Sequence, residues 1–267
     1  HTQPVACPVC GPRLSLRDHR GAIISEDTDE IVRFTVSRLR EGSIFAIKGV
    51  GGYLLAADAT RDDALHTLRE RKRRPFKPFA LMAGSLGMIE SFLEVSEKEK
   101  ELLLSRERPI VILREKKRCV SALVAPSMEY HGIMLPYMPF QFQLFDAAPD
   151  MVLVMTSGNV SEEPIVFRDD EAILKLGPFV DYVISYNRAI ASHTDDSVLF
   201  VEGGAPYFIR RSRGYVPVPF MREHGALQTL ALGGDMKNCF ALSRGGTVIM
   251  SQHLGDISTP SGNRLFR

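Results

Sequence analysis

No run of about 18 consecutive apolar residues occurs in this 267-residue chain, so no segment reads as a membrane span. The N-terminus lacks the charged-then-apolar pattern of a secretory leader, and the chain is expected in the cytoplasm. An excess of charge is missing too. With 33 basic against 32 acidic residues, the chain has no broad positive field of the kind that coats nucleic acid or an anionic membrane. Any basic site must therefore be local. Cysteine is scarce: there are four, only two of them closely spaced, which suits a reducing compartment better than a disulfide framework. A Walker pattern is absent as well, because Gly49-Val50-Gly51-Gly52 has no trailing Gly-Lys-Ser/Thr and reads as a turn. There is no internal repeat and no low-complexity tract.

What is present is enough for folding. About 45% of the residues are apolar, sufficient for one large or two modest domains with real cores. The spacing of Ile31, Phe34, Val36 and Leu39 predicts an amphipathic helix from Thr28 that stops near Gly42. Ile44 to Ile47 and Tyr53 to Ala57 read as strands around the glycine turn. Thr60 with Asp63 is a capping-box pattern that opens a helix running to about Lys72 and ended by Pro75, and Ser96 with Glu99 repeats the signature. Phe79 to Ala83, Pro109 to Leu113 and Met151 to Met155 read as buried strands, and Ser197 to Glu202 with Tyr207 to Ile209 as a hairpin. The alternation favours an α/β sheet. Beyond about Leu227 the pattern becomes strand, Gly-Gly, strand, Gly-Gly, strand, like the opening hairpins of another domain.

The chemistry is concentrated in short stretches. Arg71 to Lys77 holds five cations in seven residues, and Pro75 and Pro78 stiffen its exit beside an apolar strand. A solvated helix C-terminus would carry the same residues, and taken alone that reading is the simpler one. Met155-Thr156-Ser157-Gly158-Asn159 gathers hydroxyl, amide and backbone donors where another strand ends, although Ser157 and Asn159 could equally form a cap or an Asx turn. Together the two stretches suggest a cradle for a polyphosphate. Arg210-Arg211-Ser212-Arg213 leaves the hairpin as a loop able to close over an anion. Asp195 and Asp196 could orient magnesium, or simply form a polar turn. Cys7 and Cys10 have the spacing of half a tetrahedral zinc site; Cys119 and Cys239 stand alone and read as buried small apolar residues. His131 and His193 have no nearby nucleophile and are assigned no catalytic part.

The order KGVGGYLLAADAT, RKRRPFKPFALM, RPIVIL, HGIMLPYMPFQFQLF, MTSGNVSEEPI and DDSVLFVEGGAPYFIRRSRGYVP resembles the YrdC-like domain of the hydrogenase-maturation carbamoyltransferase family, HypF, over roughly residues 24–219. The leading HTQPVACPVCGPRL resembles the end of that family's second zinc finger. LALGGDMKNCFALSRGGTVIMSQHLGD resembles the start of its C-terminal transferase domain, of the sugar-kinase and Hsp70-like class. The resemblance implies three parts: residues 1–20 ending the zinc-finger region, 21–222 a YrdC-like twisted, mostly parallel or mixed sheet with flanking helices, and 223–267 the first β-hairpins of the transferase domain. It also implies ATP with magnesium as ligand, and zinc in an intact finger. By motif match it assigns phosphate contacts to Lys72, Arg74, Ser157 and Asn159 and further nucleotide contacts to Ser197 and Arg210, with the neighbouring Lys77 and Arg211 taken as contacts beside them. Tyr53 falls at the small-substrate end, where a glycine-rich turn replaces the Thr and Tyr of related tRNA-modifying enzymes and suits a smaller acceptor such as carbamate.

The activity so implied is ATP-dependent formation of carbamoyl adenylate from carbamate, itself derived from carbamoyl phosphate. In the family the carbamoyl group then passes to the C-terminal cysteine of the partner protein HypE, as a precursor of the cyanide ligands of nickel-iron hydrogenase. Two alternatives remain at this point: a threonylcarbamoyl-adenylate synthase of tRNA modification, and a non-catalytic RNA-binding module.

Overall fold

The computed structural model describes residues 11–159, 163–221, 227–258 and 262–263. Two short strands, β1 (Leu14–Asp18) and β2 (Ile23–Ser25), precede helix α1 (Thr28–Arg40). Then follow β3 (Phe45–Lys48), β4 (Tyr53–Asp58), α2 (Asp62–Lys72), β5 (Leu81–Ala83), α3 (Leu86–Phe92) and α4 (Glu97–Leu104). The chain continues through β6 (Ile110–Arg114), β7 (Tyr130–Met134), α5 (Pro139–Ala147), β8 (Val152–Ser157), α6 (Asp169–Leu176) and β9 (Tyr182–Tyr186). The hairpin β10 (Val198–Glu202) and β11 (Ala205–Arg210) leads to four further strands, β12 (Phe220–Met221), β13 (Thr229–Leu232), β14 (Phe240–Arg244) and β15 (Thr247–Met250). No described helix is long and apolar enough to cross a membrane.

Strands β1 to β11 form one mixed sheet in the order β11-β10-β6-β7-β5-β8-β4-β3-β9-β1-β2. Parallel pairing occurs at β3/β9, β5/β7 and β6/β10. The other neighbours are antiparallel; β1/β2, β3/β4 and β10/β11 are joined by short hairpin turns, while β4/β8 and β5/β8 meet across long stretches of chain. The α/β expectation is met, in its mixed rather than mostly parallel form. The sheet begins before residue 21, since β1 pairs with β9 inside the stretch read from sequence as the end of a zinc-finger region.

Side chains alternate along each strand, and this decides which helix covers which face. Phe45, Ile47, Leu54 and Ala56 point to the face packed by α1 through Ile31, Val32 and Leu39 and by α5 through Phe140, Leu144 and Phe145. Ala46, Leu55, Ala57 and Val154 point to the other, packed by Leu65 and Leu68 of α2, Ile89 of α3, Leu103 of α4 and Leu176 of α6. The central strands are thus buried on both faces, which explains their near-continuous apolar sequence.

The helix ends follow local chemistry with one departure. Asp27 accepts from the Glu30 amide at 2.8 Å to start α1, and Ser96 and Glu99 form their reciprocal capping box at α4. The box expected from Thr60 and Asp63 does not form. Thr60 donates to Asp58 at 2.7 Å, Asp63 takes the Arg61 guanidinium, and Arg61 stands at the N-cap without a side-chain bond. The far end of α2 falls at Lys72 as expected, where Arg73 closes the helix in a left-handed conformation at φ 49°.

Strands β12 to β15 form a separate antiparallel sheet in the order β12-β15-β14-β13. Its edge strand β13 is exposed along its length, with Leu230 and Leu232 at 60% and 63% exposure. Contacts that tie this unit to the large sheet include Thr194 Oγ1 donating to Gln252 Oε1 at 3.0 Å and His253 meeting Asp195 at 2.8 Å. Cys7 and Cys10 lie outside the described residues. Cys119, expected to be buried, is exposed on the loop after β6, and Cys239 is half-buried.

Candidate active site

The basic stretch is held open by a residue it seemed merely to adjoin. Arg69 is 7% exposed, and its guanidinium donates to the carbonyls of Leu123 at 2.7 Å, Arg74 at 2.7 Å, Pro75 at 3.1 Å and Val124 at 3.3 Å while lying 4.4 Å over the Phe79 ring. A planar fork of five donors suits this gathering of backbone oxygens. Arg69 therefore shapes the loop from Arg73 to Pro78. The helical register contains the signal: Leu65, Leu68, Arg69 and Lys72 fall at i, i+3, i+4 and i+7, so the buried stripe of α2 ends in two cations.

Lys72 is one of them. It is 6% exposed, and its Nζ donates to Ser157 O at 2.7 Å and to Asn159 O and Oδ1 at 3.2 Å each. Ser157 Oγ in turn donates to Asn159 Oδ1 at 2.8 Å, and Asn159 Nδ2 to Glu163 O at 2.9 Å, so the turn after β8 is braced around the lysine. Arg74 donates to Thr156 Oγ1 at 3.1 Å and to Pro78 O, and sits 5.1 Å from the Phe79 ring. Burial, reinforced by Arg74 and Lys77, pulls the Lys72 ammonium down to about 7, and burial with Arg69 and Arg210 brings Arg74 to about 10. Lys77 is lowered for the same reasons. Cations crowded into a poorly hydrated site without enough anions indicate a site built for one.

These residues share a cavity of about 300 Å³, lined by Lys72, Arg74, Lys77, Ser157, Asn159 and Arg210 together with His193, Asp195, Lys237 and His253. A second cavity of about 640 Å³ shares Arg74, Lys77, Ser157 and Arg210 and adds Phe79, Met128, Phe208 and Ile209. One end is thus cationic and the other largely apolar, as a site for a phosphorylated organic ligand needs.

The structure brings together six of the residues singled out from sequence and places four others elsewhere. Tyr53 is 1% exposed and lines none of these cavities; its hydroxyl donates to Asp169 Oδ1 at 2.7 Å. Asp169 also pairs with the buried Lys48, which donates to the carbonyls of Tyr186 and Arg188 as well. Ser197 is fully buried and ties Arg213 O to the Ser212 amide. Arg211 borders only the apolar cavity, where it lies 4.3 Å from the Phe220 ring. Asp196 is held by Arg213 at 2.6 Å, whereas its neighbour Asp195 faces the cationic cleft, as do Glu163 and Asp256. Among the described residues no group of three His, Cys, Asp or Glu is placed to hold a metal ion.

Glycines position the loops around this cleft. A Cβ on Gly51 would collide with the Thr194 carbonyl, and one on Gly158 would stand 2.6 Å from Tyr53 O. The glycine turn is therefore a place of close backbone approach, which fixes the loop carrying His193 and Asp195.

The depressed Lys72 ammonium has a thermodynamic consequence. At pH 8 the free site holds Lys72 mostly neutral, and an anion favours its charged form, so binding takes up a proton. Affinity for an anion such as ATP is therefore expected to be fully developed below pH 7 and to fall as pH rises through the bound-state value. Titration calorimetry at pH 8 in two buffers of different ionisation enthalpy is expected to give different apparent heats, and the difference to shrink in Lys72→Met. Equal heats in both buffers would refute this.

Comparison with known proteins agrees with this geometry. The family model described as telomere recombination, Sua5/YciO/YrdC, matches residues 37–212. The chain belongs to that family. A second model, the HypF Kae1-like domain, matches residues 224–267. Over nearly its whole length the chain is similar to proteins named HypF. It is 43% identical over 260 residues to carbamoyltransferase HypF of Rhodobacter capsulatus, covering 96% of this chain and 34% of that protein. Crystal structures agree. Full-length HypF in a phosphate- and nucleotide-bound form has a TM-score of 0.90 at 39% identity, covering 99% of this chain and 34% of that one. T. kodakarensis HypF gives 0.91 at 37%, covering 98% and 34%. The chain thus spans about a third of the length of these relatives.

Proposed function

We propose that this chain forms an acyl adenylate from ATP and carbamate. The observation that carries the reading is the convergence of buried Lys72 and Arg74 with Lys77 and Arg210 on the Ser157–Asn159 turn, next to an apolar cavity of a size for a nucleoside. A carbamate oxygen would attack the α-phosphorus of ATP as the bond to the leaving pyrophosphate breaks, giving carbamoyl adenylate. Lys72, Arg74 and Arg210 would stabilise the charge that accumulates on the phosphoryl and pyrophosphate oxygens, with Ser157 and Asn159 orienting them. No side chain need become covalently attached. The names of the relatives, and the phosphate and nucleotide in one of their crystal structures, support this reading. In the longer protein the carbamoyl group would then pass to the C-terminal cysteine of HypE during hydrogenase maturation.

The test is pyrophosphate exchange into ATP by the 267-residue chain, with magnesium, carbamoyl phosphate and a separate acylphosphatase to release carbamate. Exchange is expected only when carbamate is supplied, with no labelled HypE formed. Exchange that instead requires threonine and bicarbonate would transfer the reading to threonylcarbamoyl adenylate. No exchange under either condition would remove it.

A further inference from the structure

The cationic cleft is not built by the Sua5/YrdC unit alone. Lys237, His253, Leu254, Gly255 and Asp256 also line it, and all five lie in the segment that matches the Kae1-like model. His253 makes the most specific of these contacts. Its Nδ1 lies 2.8 Å from Asp195 Oδ2, with the two side chains 15% and 16% exposed. The other oxygen, Oδ1, faces Arg210 at 3.9 Å. Burial pushes the Asp195 carboxyl up, but His253, Arg210 and His193 outweigh it and hold the group below its usual value. Asp195 is therefore ionised, and the ring nitrogen of His253 donates to it.

A carboxylate in an anion site opposes the ligand twice, by repelling phosphate and by competing for Arg210. His253 counters both. The neighbouring His193 lies tilted against the Phe167 ring, centroids 5.9 Å apart, makes no hydrogen bond to Asp195 among the described residues, and leaves its Nε2 buried without a partner there. Lys237 also lines the cleft, and its backbone amide donates to Asp256 at 2.7 Å.

We infer that His253 is a positioning residue of the phosphate site: by engaging Asp195 it leaves the Arg210 guanidinium available to phosphate, so the unit following the Sua5/YrdC fold sets that fold's affinity for polyphosphate. The inference rests on the phosphate-binding half of the proposed function and not on the identity of the acyl group. It also predicts a direction of coupling: whatever displaces the loop bearing His253 loosens polyphosphate, which would favour release of pyrophosphate.

The experiment is equilibrium binding of pyrophosphate, measured by calorimetry on the whole 267-residue chain, with thermal melts to confirm folding. His253→Ala is expected to weaken pyrophosphate roughly tenfold, the scale of one unopposed nearby charge. Asp195→Asn is expected to bind at least as tightly as the unmodified chain. In the double variant, His253→Ala with Asp195→Asn, binding is expected to return to within about twofold of the unmodified chain, because the group that His253 restrained is gone. A purely structural role for His253 would leave the double variant as weak as the single one, and that result overturns the inference, as does unchanged binding in His253→Ala. If His253→Ala melts abnormally, His253→Gln, which keeps a donor to Asp195, is expected to bind within about threefold of the unmodified chain; weakening equal to that of alanine would refute the pairing. Failure of the unmodified chain to bind pyrophosphate would sink the phosphate site as well, whereas intact binding without carbamate-dependent exchange would sink only the proposed reaction.

Discussion

Replacing Lys72 or Arg74 by alanine is expected to lower the carbamate-dependent exchange rate by about 1.5 to 4 kcal/mol of transition-state stabilisation each, or roughly ten- to a thousandfold. The two cations act on one developing charge and already repel each other in the free site, so the double variant is expected to lose less than the sum. Lys72→Ala removes a second thing, the donor that braces the carbonyls of Ser157 and Asn159. Its melting temperature therefore has to be read beside its rate. Arg74→Lys separates charge from shape: a lysine keeps the cation but cannot reach Thr156 and Pro78 together as the guanidinium does. Exchange rates within about twofold of the unmodified chain in both alanine variants would remove the cradle as the seat of the chemistry.

The other large effect is expected far from any reacting atom. Arg69→Ala would strip the carbonyls of Leu123, Val124, Arg74 and Pro75 of a shared donor. Those of the exposed loop can turn to water, whereas Leu123 and Val124 lie against the core and mostly cannot. A loss of about 2 to 4 kcal/mol is expected, which for a chain of this size lowers the melting temperature by roughly 4 to 15 °C. Arg69→Lys is expected to recover only part of it, since one ammonium cannot serve four acceptors spread around a planar fork. The KM for ATP is expected to rise in both variants, because Arg74 is held in place through the same loop. A melting curve of Arg69→Ala that overlays the unmodified one would show that the loop needs no such clasp.

The site was legible where its chemistry is local. Five cations in seven residues and a Thr-Ser-Gly-Asn turn announce an anion site because the residue types are clustered in the chain itself, and six of the residues read this way do meet in one cleft. What was not legible depends on orientation or distance. Asp195 and Asp196 are indistinguishable as neighbours in sequence, yet one faces the cleft and the other is taken by Arg213. His253 reaches Asp195 across 58 residues, and no local pattern encodes that meeting. Tyr53 and Ser197 were named by motif position, and in the fold they are buried and hydrogen-bonded to Asp169 and to Arg213 O, while Arg211 borders the apolar cavity. Fold class was more accessible than these details, since strand alternation and helix spacing depend on which faces must be dry. The expected capping box at α2, which does not form, shows the limit of such signals: the Thr60 hydroxyl donates to Asp58 instead of capping the helix.

The edge strand β13 matters for how the protein must be handled. Its outer backbone groups and the exposed side chains of Leu230 and Leu232 form a flat apolar rim that any other extended chain can join by main-chain pairing. Concentrated preparations are thus expected to build up sheet-rich oligomers, detectable by light scattering that grows with concentration. Leu230→Lys is expected to suppress this while leaving pyrophosphate binding intact, and scattering equal in both proteins would place the sticky surface elsewhere.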